Sequence, residues 1–175
     1  SWHAQVASGS RKRAPVQTHS PKLPCPNETW AAAAQATTGM LSVKIFGAVG
    51  DGKHDDAPAV RAAMNASKLC GGGCIFFPPG EYHFNSTVVA SATCWKGSTA
   101  TGTPGACIGQ CTGATTISGP STGNGETPTI AIHSGDVYMQ DLEVYGNYLG
   151  VYIANAAYVR FVNVGADASH DAPPS

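Results

Sequence analysis

From Val43 onward the apolar positions follow two alternating periods, one of short runs and one of helical spacing. Val43, Ile45 and Phe46 form a brief apolar run that predicts a strand. Gly47 and then Gly50-Asp51-Gly52 end it, since glycine tolerates the positive φ of tight turns. Asp55-Asp56 opens a helix. Asp56 is the expected N-cap, its carboxylate taking a first-turn N–H, and Pro58 falls in the first turn, where a missing donor costs little. Val60, Ala63, Met64 and Ser67 or Leu69 recur at helical spacing and give one core-facing stripe. Cys70-Gly71-Gly72-Gly73-Cys74 stops the helix. Ile75-Phe76-Phe77 then reads as a buried strand closed by Pro78-Pro79-Gly80, and Tyr82 to Val89 as a further strand segment.

The second half of the chain repeats itself. Ile117, Met139 and Phe161 are spaced by 22 residues, and the same offset relates Val137 to Val159, Leu142 to Val164, Asp141 to Asn163 and Ala131 to Ile153. VYMQDLEV and VRFVNV each alternate apolar and polar positions, so every copy predicts a strand and the period predicts one turn of a β-solenoid. In this reading Asp141 and Asn163 stack on adjacent coils, as a ladder of polar residues or as a contact for a cation or sugar.

The residues FGAxGDGxxDDxxAxxxAxxA at Phe46 to Ala66, followed by a Gly-rich turn and FFPPGxY at Phe76 to Tyr82, resemble the N-terminal part of the pectate-lyase-like superfamily. The resemblance covers that region alone. It implies an all-β solenoid: a short right-handed parallel β-helix with one N-terminal helix, over residues 43–165, with a loop insertion at about 93–114. Residues 1–42, with Pro15, Pro21, Pro24 and Pro26, are expected to form an extended arm, and residues 166–175 a tail. The resemblance also implies where chemistry would lie. Polysaccharide hydrolases of the superfamily place aspartates on neighbouring coils beyond the opening motif, and the lyases use a basic residue and often calcium.

Composition narrows the partners. Among 175 residues, 42% are apolar and 12% charged, and the net charge is −1. A chain of this size can bury a continuous core. It lacks the basic surface that nucleic acid or an anionic membrane would call for, and no apolar run is long enough to span a bilayer. Arg11-Lys12-Arg13 is its basic cluster, read as a solvated arm. The absence of methionine at Ser1 fits a removed leader. Three sequons, at Asn27, Asn65 and Asn85, join an even set of cysteines, Cys25, Cys70, Cys74, Cys94, Cys107 and Cys111, in pointing to an extracellular, N-glycosylated and disulfide-bonded protein. Cysteine spacing leaves the connectivity open. One expectation is that Cys70 and Cys74 close the Gly-rich turn while other bridges staple the insertion. The Gly-, Ser-, Thr- and Pro-rich stretch 97–129 is suited to surface loops and O-linked sugar.

No catalytic, cofactor or metal constellation emerges. Glycoside hydrolysis needs two carboxylates at a fixed separation, and Asp51, Asp55 and Asp56 fall at turn and cap positions instead. Glu81 and His83 alternate onto one strand face without a third ligand. Asp167, His170 and Asp171 lie in the tail. The coil pattern stops after Val164, and an uncapped solenoid end exposes strand edges and an apolar cross-section. The expected function is therefore a secreted structural module that self-associates as a homo-oligomer or a filament, through its uncapped coil and its arm. The alternatives are the N-terminal part of a polysaccharide-cleaving enzyme lacking its catalytic coils, and a carbohydrate-binding module presenting Tyr145 and Tyr148 in a turn.

Overall fold

The computed structural model describes residues 40–69, 72–91, 93–99, 113–120, 127–133, 135–146, 149–156 and 158–167. Most of the expected arm, most of the tail and the centre of the loop insertion lie outside these residues.

Successive strands stack in parallel, rung upon rung. An eight-stranded sheet contains β1 (Leu41–Ser42), β2 (Asp51–Asp55), β3 (Cys74–Phe76), β4 (Gly80–His83), β6 (Thr93–Lys96), β7 (Thr115–Ser118), β9 (Asp136–Tyr145) and β11 (Tyr158–Asp167). A three-stranded sheet holds β5 (Val88–Val89), β8 (Ile130–Ile132) and β10 (Val151–Ile153) in the order β10-β8-β5. The larger sheet bends into two limbs. Its first limb runs β1-β3-β6 to the first half of β9, and its second runs β2-β4-β7 to the second half of β9. β11 lies on β9 along both limbs. All pairings are parallel, and together they make a partial solenoid.

The bend has a residue-level cause. Asp141 and Asn163, at equivalent points of β9 and β11, take left-handed φ values of 57° and 51°. One left-handed residue turns the chain from one limb to the next and shifts the inward-facing phase. Val137 and Met139 point inward before the bend, Leu142 and Val144 after it, and all four are buried. Gly97 occupies the matching corner one rung down, where an added Cβ would lie 2.1 Å from the Asp141 carbonyl oxygen.

The 22-residue register holds for the last two rungs, where Val159 aligns with Val137, Phe161 with Met139 and Val164 with Leu142. It fails earlier. Ile117 aligns with Val144, and Trp95 takes the place beside Met139, because the excursion between β6 and β7 lengthens that coil. Ala131 aligns with Tyr152, so the third sheet repeats one residue out of step.

Three other expectations change. Val43–Phe46 forms a 3-10 turn, with Ser42 accepting the Lys44 N–H at 3.3 Å and left-handed Gly47 closing it; the strand lies just before, at Leu41–Ser42. Thr93–Lys96 is β6, so the insertion starts after Lys96. The helix, α1 (Ala57–Leu69), forms as expected, but the Ala57 N–H bonds to the Asp55 carboxylate at 3.1 Å. The Asp56 carboxylate turns backward to the Val49 and Gly50 N–H groups, at 2.6 and 3.0 Å.

α1 packs its buried face, with Ala57, Val60, Ala63 and Met64, over β1, β3, β5 and the 3-10 turn, closing the first end of the stack. Behind it the core runs through Ile75, Phe77, Tyr82, Phe84, Trp95, Ile117, Ile130, Ile132, Met139 and Leu142. Phe77 contacts Tyr82 edge-on at 5.4 Å and Trp95 at 5.2 Å.

Candidate functional site

Three places concentrate polar or unpaired groups: the turn that carries the signature residues, the outer face of the second limb, and the last rung.

The signature turn is an anchor. Asp56 is 1% exposed, and its two backbone contacts pin residues 49–50 against α1. Lys44 Nζ donates to the Val49 carbonyl and sits 5.1 Å from the centre of the Tyr82 ring. The Tyr82 hydroxyl donates to the Pro78 carbonyl at 2.9 Å, and burial, followed by the Asp56 charge, holds its proton well above the ordinary range. Gly50 must be glycine: its φ is 64°, and a Cβ would lie 2.7 Å from Lys44 Nζ and 3.0 Å from the Tyr82 ring. On the exposed side, the backbone N–H of His54, then that of Lys53, hold the Asp51 carboxyl well below the usual carboxylate range. His54 Nδ1 adds a contact at 2.7 Å. The turn shapes the chain and presents no reactive group.

The second limb faces outward with two polar rows. Glu81, Thr116 and Glu143 occupy one register position on β4, β7 and β9, while His83, Ser118 and Tyr145 occupy the next but one. His83 Nδ1 lies 3.0 Å from Ser118 Oγ, and the Tyr145 hydroxyl donates to Glu143 at 2.9 Å. Sequence reasoning placed Glu81 and His83 on one face but missed Glu143, because the long coil between β6 and β7 hides the register. Tyr145 ends β9 half-buried, a correction to its expected place in a turn; Tyr148 lies outside the described residues.

Asp141 and Asn163 do stack. Asn163 Nδ2 donates to Asp141 at 2.9 Å, and Gln140 Nε2 donates to the other carboxylate oxygen, also at 2.9 Å. Both oxygens have donors, so the pair is a ladder at the bend. Among the described residues no group of three or more His, Cys, Asp or Glu side chains is placed to hold a metal ion.

Among the described residues nothing covers the rung of β10 and β11. Its inward-facing Phe161 is 40% exposed and Ile153 47%, whereas Met139 and Ile132 in register one rung earlier are fully buried.

Cys74 and Cys94 form a disulfide across β3 and β6, where they are in register with Cα atoms 4.4 Å apart. This corrects the expected Cys70–Cys74 turn closure, since adjacent rungs bring Cys94 alongside Cys74. Cys25, Cys70, Cys107 and Cys111 lie outside the described residues, as does Asn27. Asn65 is exposed on α1. Asn85 is exposed just after β4, its N–H bonded to the Asp55 carboxylate that also caps α1. Among the described residues no helix is long and apolar enough to cross a membrane.

The family described as rhamnogalacturonase A/epimerase, pectate lyase-like, matches residues 40–132. Mannuronan C5-epimerase AlgE3 of Azotobacter vinelandii is 47% identical over 49 residues, which make up 28% of this chain and 3% of that protein. Alginate lyase 7 of the same organism is 48% identical over 50 residues, 29% of this chain and 6% of that protein. Plasmin and fibronectin-binding protein A of Streptococcus pneumoniae is 54% identical over 43 residues, 24% of this chain and 6% of that protein. The chain thus matches a small part of the length of these relatives. The crystal structure of PfbA, a surface adhesin of S. pneumoniae, superposes with a TM-score of 0.50 at 23% identity, covering 73% of this chain and 33% of that one. That likeness concerns the fold.

Proposed function

Because this chain belongs to the rhamnogalacturonase A/epimerase family of pectate lyase-like proteins, we propose that it is an extracellular, N-glycosylated structural or adhesive module, built as a right-handed parallel β-helix, that self-associates through its open rung. The observation that carries this reading is the difference between its two ends. α1 covers one, while at the other Phe161 and Ile153 are exposed among the described residues, beside an edge of β11 that no described strand pairs. Exposed apolar side chains next to a strand edge favour association. The exposed sequon asparagines Asn65 and Asn85 lie beside α1, so glycans there would leave the open rung clear. Those exposed asparagines and the Cys74–Cys94 disulfide support an extracellular setting. Residues 1–40 serve in this reading as an arm that strengthens assembly.

The test is the solution mass of the glycosylated chain by sedimentation over a wide concentration range, with Phe161→Asp and a 1–40 deletion alongside. Assembly that weakens in both variants supports the reading. A monomer at every concentration ends it, and normal assembly of the deletion variant removes the arm.

A second reading is favoured by the outer rows of the second limb. Glu81 and Glu143 sit two strand spacings apart, roughly 10 Å of backbone. That places two carboxylates, with His83 and Tyr145 beside them, on one face wide enough for a sugar chain. In this reading the chain is the opening part of a polysaccharide-binding or polysaccharide-cleaving protein. Glycan-array binding that Glu81→Gln and Glu143→Gln both abolish would favour it over the first.

A further inference from the structure

The two sequons among the described residues present their asparagines and withdraw their hydroxyls. Asn65 is exposed on α1, but Ser67 is 4% exposed and donates its hydroxyl to the Gly73 carbonyl at 2.8 Å. Helix geometry forces this division, because residues at i and i+2 stand about 200° apart around the axis and share no face. Asn85 is exposed in a bend after β4, and Thr87 donates its hydroxyl to the Pro128 carbonyl at 2.6 Å. The bend is tied down on both sides. Asp55 accepts the Asn85 N–H at 3.0 Å, while Arg61 Nη2 donates to Ser86 Oγ at 2.7 Å and to the Thr87 carbonyl at 2.9 Å.

N-glycosylation needs both ends of a sequon at once. The asparagine amide nitrogen attacks the anomeric carbon of an oligosaccharide carried on a lipid diphosphate. A C–N bond forms, the C–O bond to the diphosphate breaks, the lipid diphosphate leaves and an amide proton passes to solvent. The transferase selects Asn-X-Ser/Thr by holding the hydroxyl residue near the reacting amide. In the folded chain the Ser67 hydroxyl lies on the buried side of α1, away from any enzyme that holds Asn65, and the Thr87 hydroxyl is engaged with Pro128.

The two captures differ in reach. Ser67 bonds to a carbonyl six residues along, and α1 is covered by β1, the 3-10 turn, β3 and β5, all complete by Val89. Thr87 bonds across 41 residues, to the segment that enters β8, beyond the excursion after Lys96. Shorter loops close at lower entropic cost, and a chain made from its N-terminus gains the first set of partners before the second.

We infer that Asn65 and Asn85 accept carbohydrate only before the chain folds around them, and that the window at Asn65 closes first, leaving it the less occupied site. The inference rests on the N-glycosylation proposed above and specifies when and where the sugar is attached. A glycan that reaches Asn65 in time stays outward on folding, because the asparagine itself is exposed. The secreted protein is then a mixture of glycoforms whose proportions report how fast α1 docks.

The experiment takes the full chain made without carbohydrate, folded or reduced and alkylated. Each form meets a purified oligosaccharyltransferase and a synthetic oligosaccharide on a lipid diphosphate, and glycopeptide mass spectrometry reads each site. Both asparagines should react about tenfold or more faster in the alkylated chain, since local opening of the folded one is rare. The chain is also expressed in secreting eukaryotic cells and read in whole lysate, so that retained protein is counted. Normalised to the alkylated-chain rates, Asn65 should be left unmodified about threefold more often than Asn85. Val60→Asp, which puts a charge in the buried face of α1 and keeps the helix from docking, should close that gap. Comparable rates at either site in folded and alkylated chains would overturn the closure. Equal normalised occupancy, or a gap that Val60→Asp leaves unchanged, would overturn the order. An alkylated chain modified at neither site would end the N-glycosylation reading and this inference with it.

Discussion

Met139 and Phe161 occupy the same register position on neighbouring rungs, yet Met139 is fully buried and Phe161 is 40% exposed. One rung of cover makes the difference. Met139→Ala removes packed volume from the core and is expected to cost about 3 kcal/mol, while Phe161→Ala in the unassociated chain should cost less than about 1.5 kcal/mol, since part of its surface already meets water. Urea unfolding at low protein concentration measures both. Equal costs would mean that the last rung is covered within the single chain.

Asp56 carries the second prediction. Its carboxylate, 1% exposed, accepts the Val49 and Gly50 N–H groups. Asp56→Ala leaves both donors without their partner and is expected to destabilise by about 2–4 kcal/mol. Asp55→Ala, which loses its bonds to the Ala57 and Asn85 N–H groups at a more exposed position, should cost about 1 kcal/mol. The order of the two midpoints in chemical denaturation checks the assignment, because an ordinary N-cap role for Asp56 would make the two losses alike.

Sequence already carried the opening of this fold, and the reasons are local. The glycine turn, the Asp-Asp helix start and the Pro-Pro-Gly break act over a few residues, so α1, β3 and β4 were legible. The repeat was legible between β9 and β11, whose rungs are equal in length. It was lost at Ile117, where the excursion after Lys96 changes the coil length, and the same excursion hid Glu143 from Glu81. Cys94 was hidden from Cys74 because Thr93–Lys96 read as the start of the insertion and not as a rung beside β3. Asp55 and Asp56 show the finer limit. Either could cap a helix, and their division of labour depends on how residues 49–50 pack back against α1.

The Cys74–Cys94 bridge joins rungs at a sequence separation of 20. In the chain-entropy account, closing a loop of that size stabilises by about 3 kcal/mol. The double variant Cys74→Ser, Cys94→Ser should therefore unfold at a clearly lower urea concentration while keeping its β-rich circular dichroism. The loss should be concentrated in the first rungs, which hydrogen exchange resolves: amides of β3 and β6 should lose more protection than those of β11.

Gly97 tests the corner. Its N–H bonds to the Gln140 carbonyl at 2.9 Å, and a Cβ would clash with the Asp141 backbone and Leu142. Gly97→Ala is expected to cost about 3 kcal/mol or to force the two rungs apart. Gly165→Ala, where the nearest atom to the added Cβ is 3.7 Å away, should be nearly neutral, and thermal unfolding of the two variants side by side checks the difference.

Tyr82 gives the structure a directional response to alkali. Its folded-state pKa is raised above the ordinary 10.0, first by burial and then by the Asp56 charge. A group with a raised folded pKa contributes its full stabilisation below the unfolded value and loses it as pH climbs toward the folded one. Stability should fall steadily above about pH 10, because the unfolded chain ionises Tyr82 first. Tyr82→Phe gives up the bond to the Pro78 carbonyl, about 1 kcal/mol at neutral pH, but should flatten the alkaline decline. Asp51 works in the opposite sense. Its depressed pKa makes its contribution complete above the ordinary carboxylate value of 3.8 and lost only as pH falls below it, so Asp51→Asn should lower stability by a constant amount at neutral and alkaline pH and flatten the acid limb, leaving the alkaline slope unchanged. Denaturant midpoints across the pH range separate the two. An alkaline limb unchanged in Tyr82→Phe would mean that the hydroxyl is already ionised, or already solvated, in the folded protein.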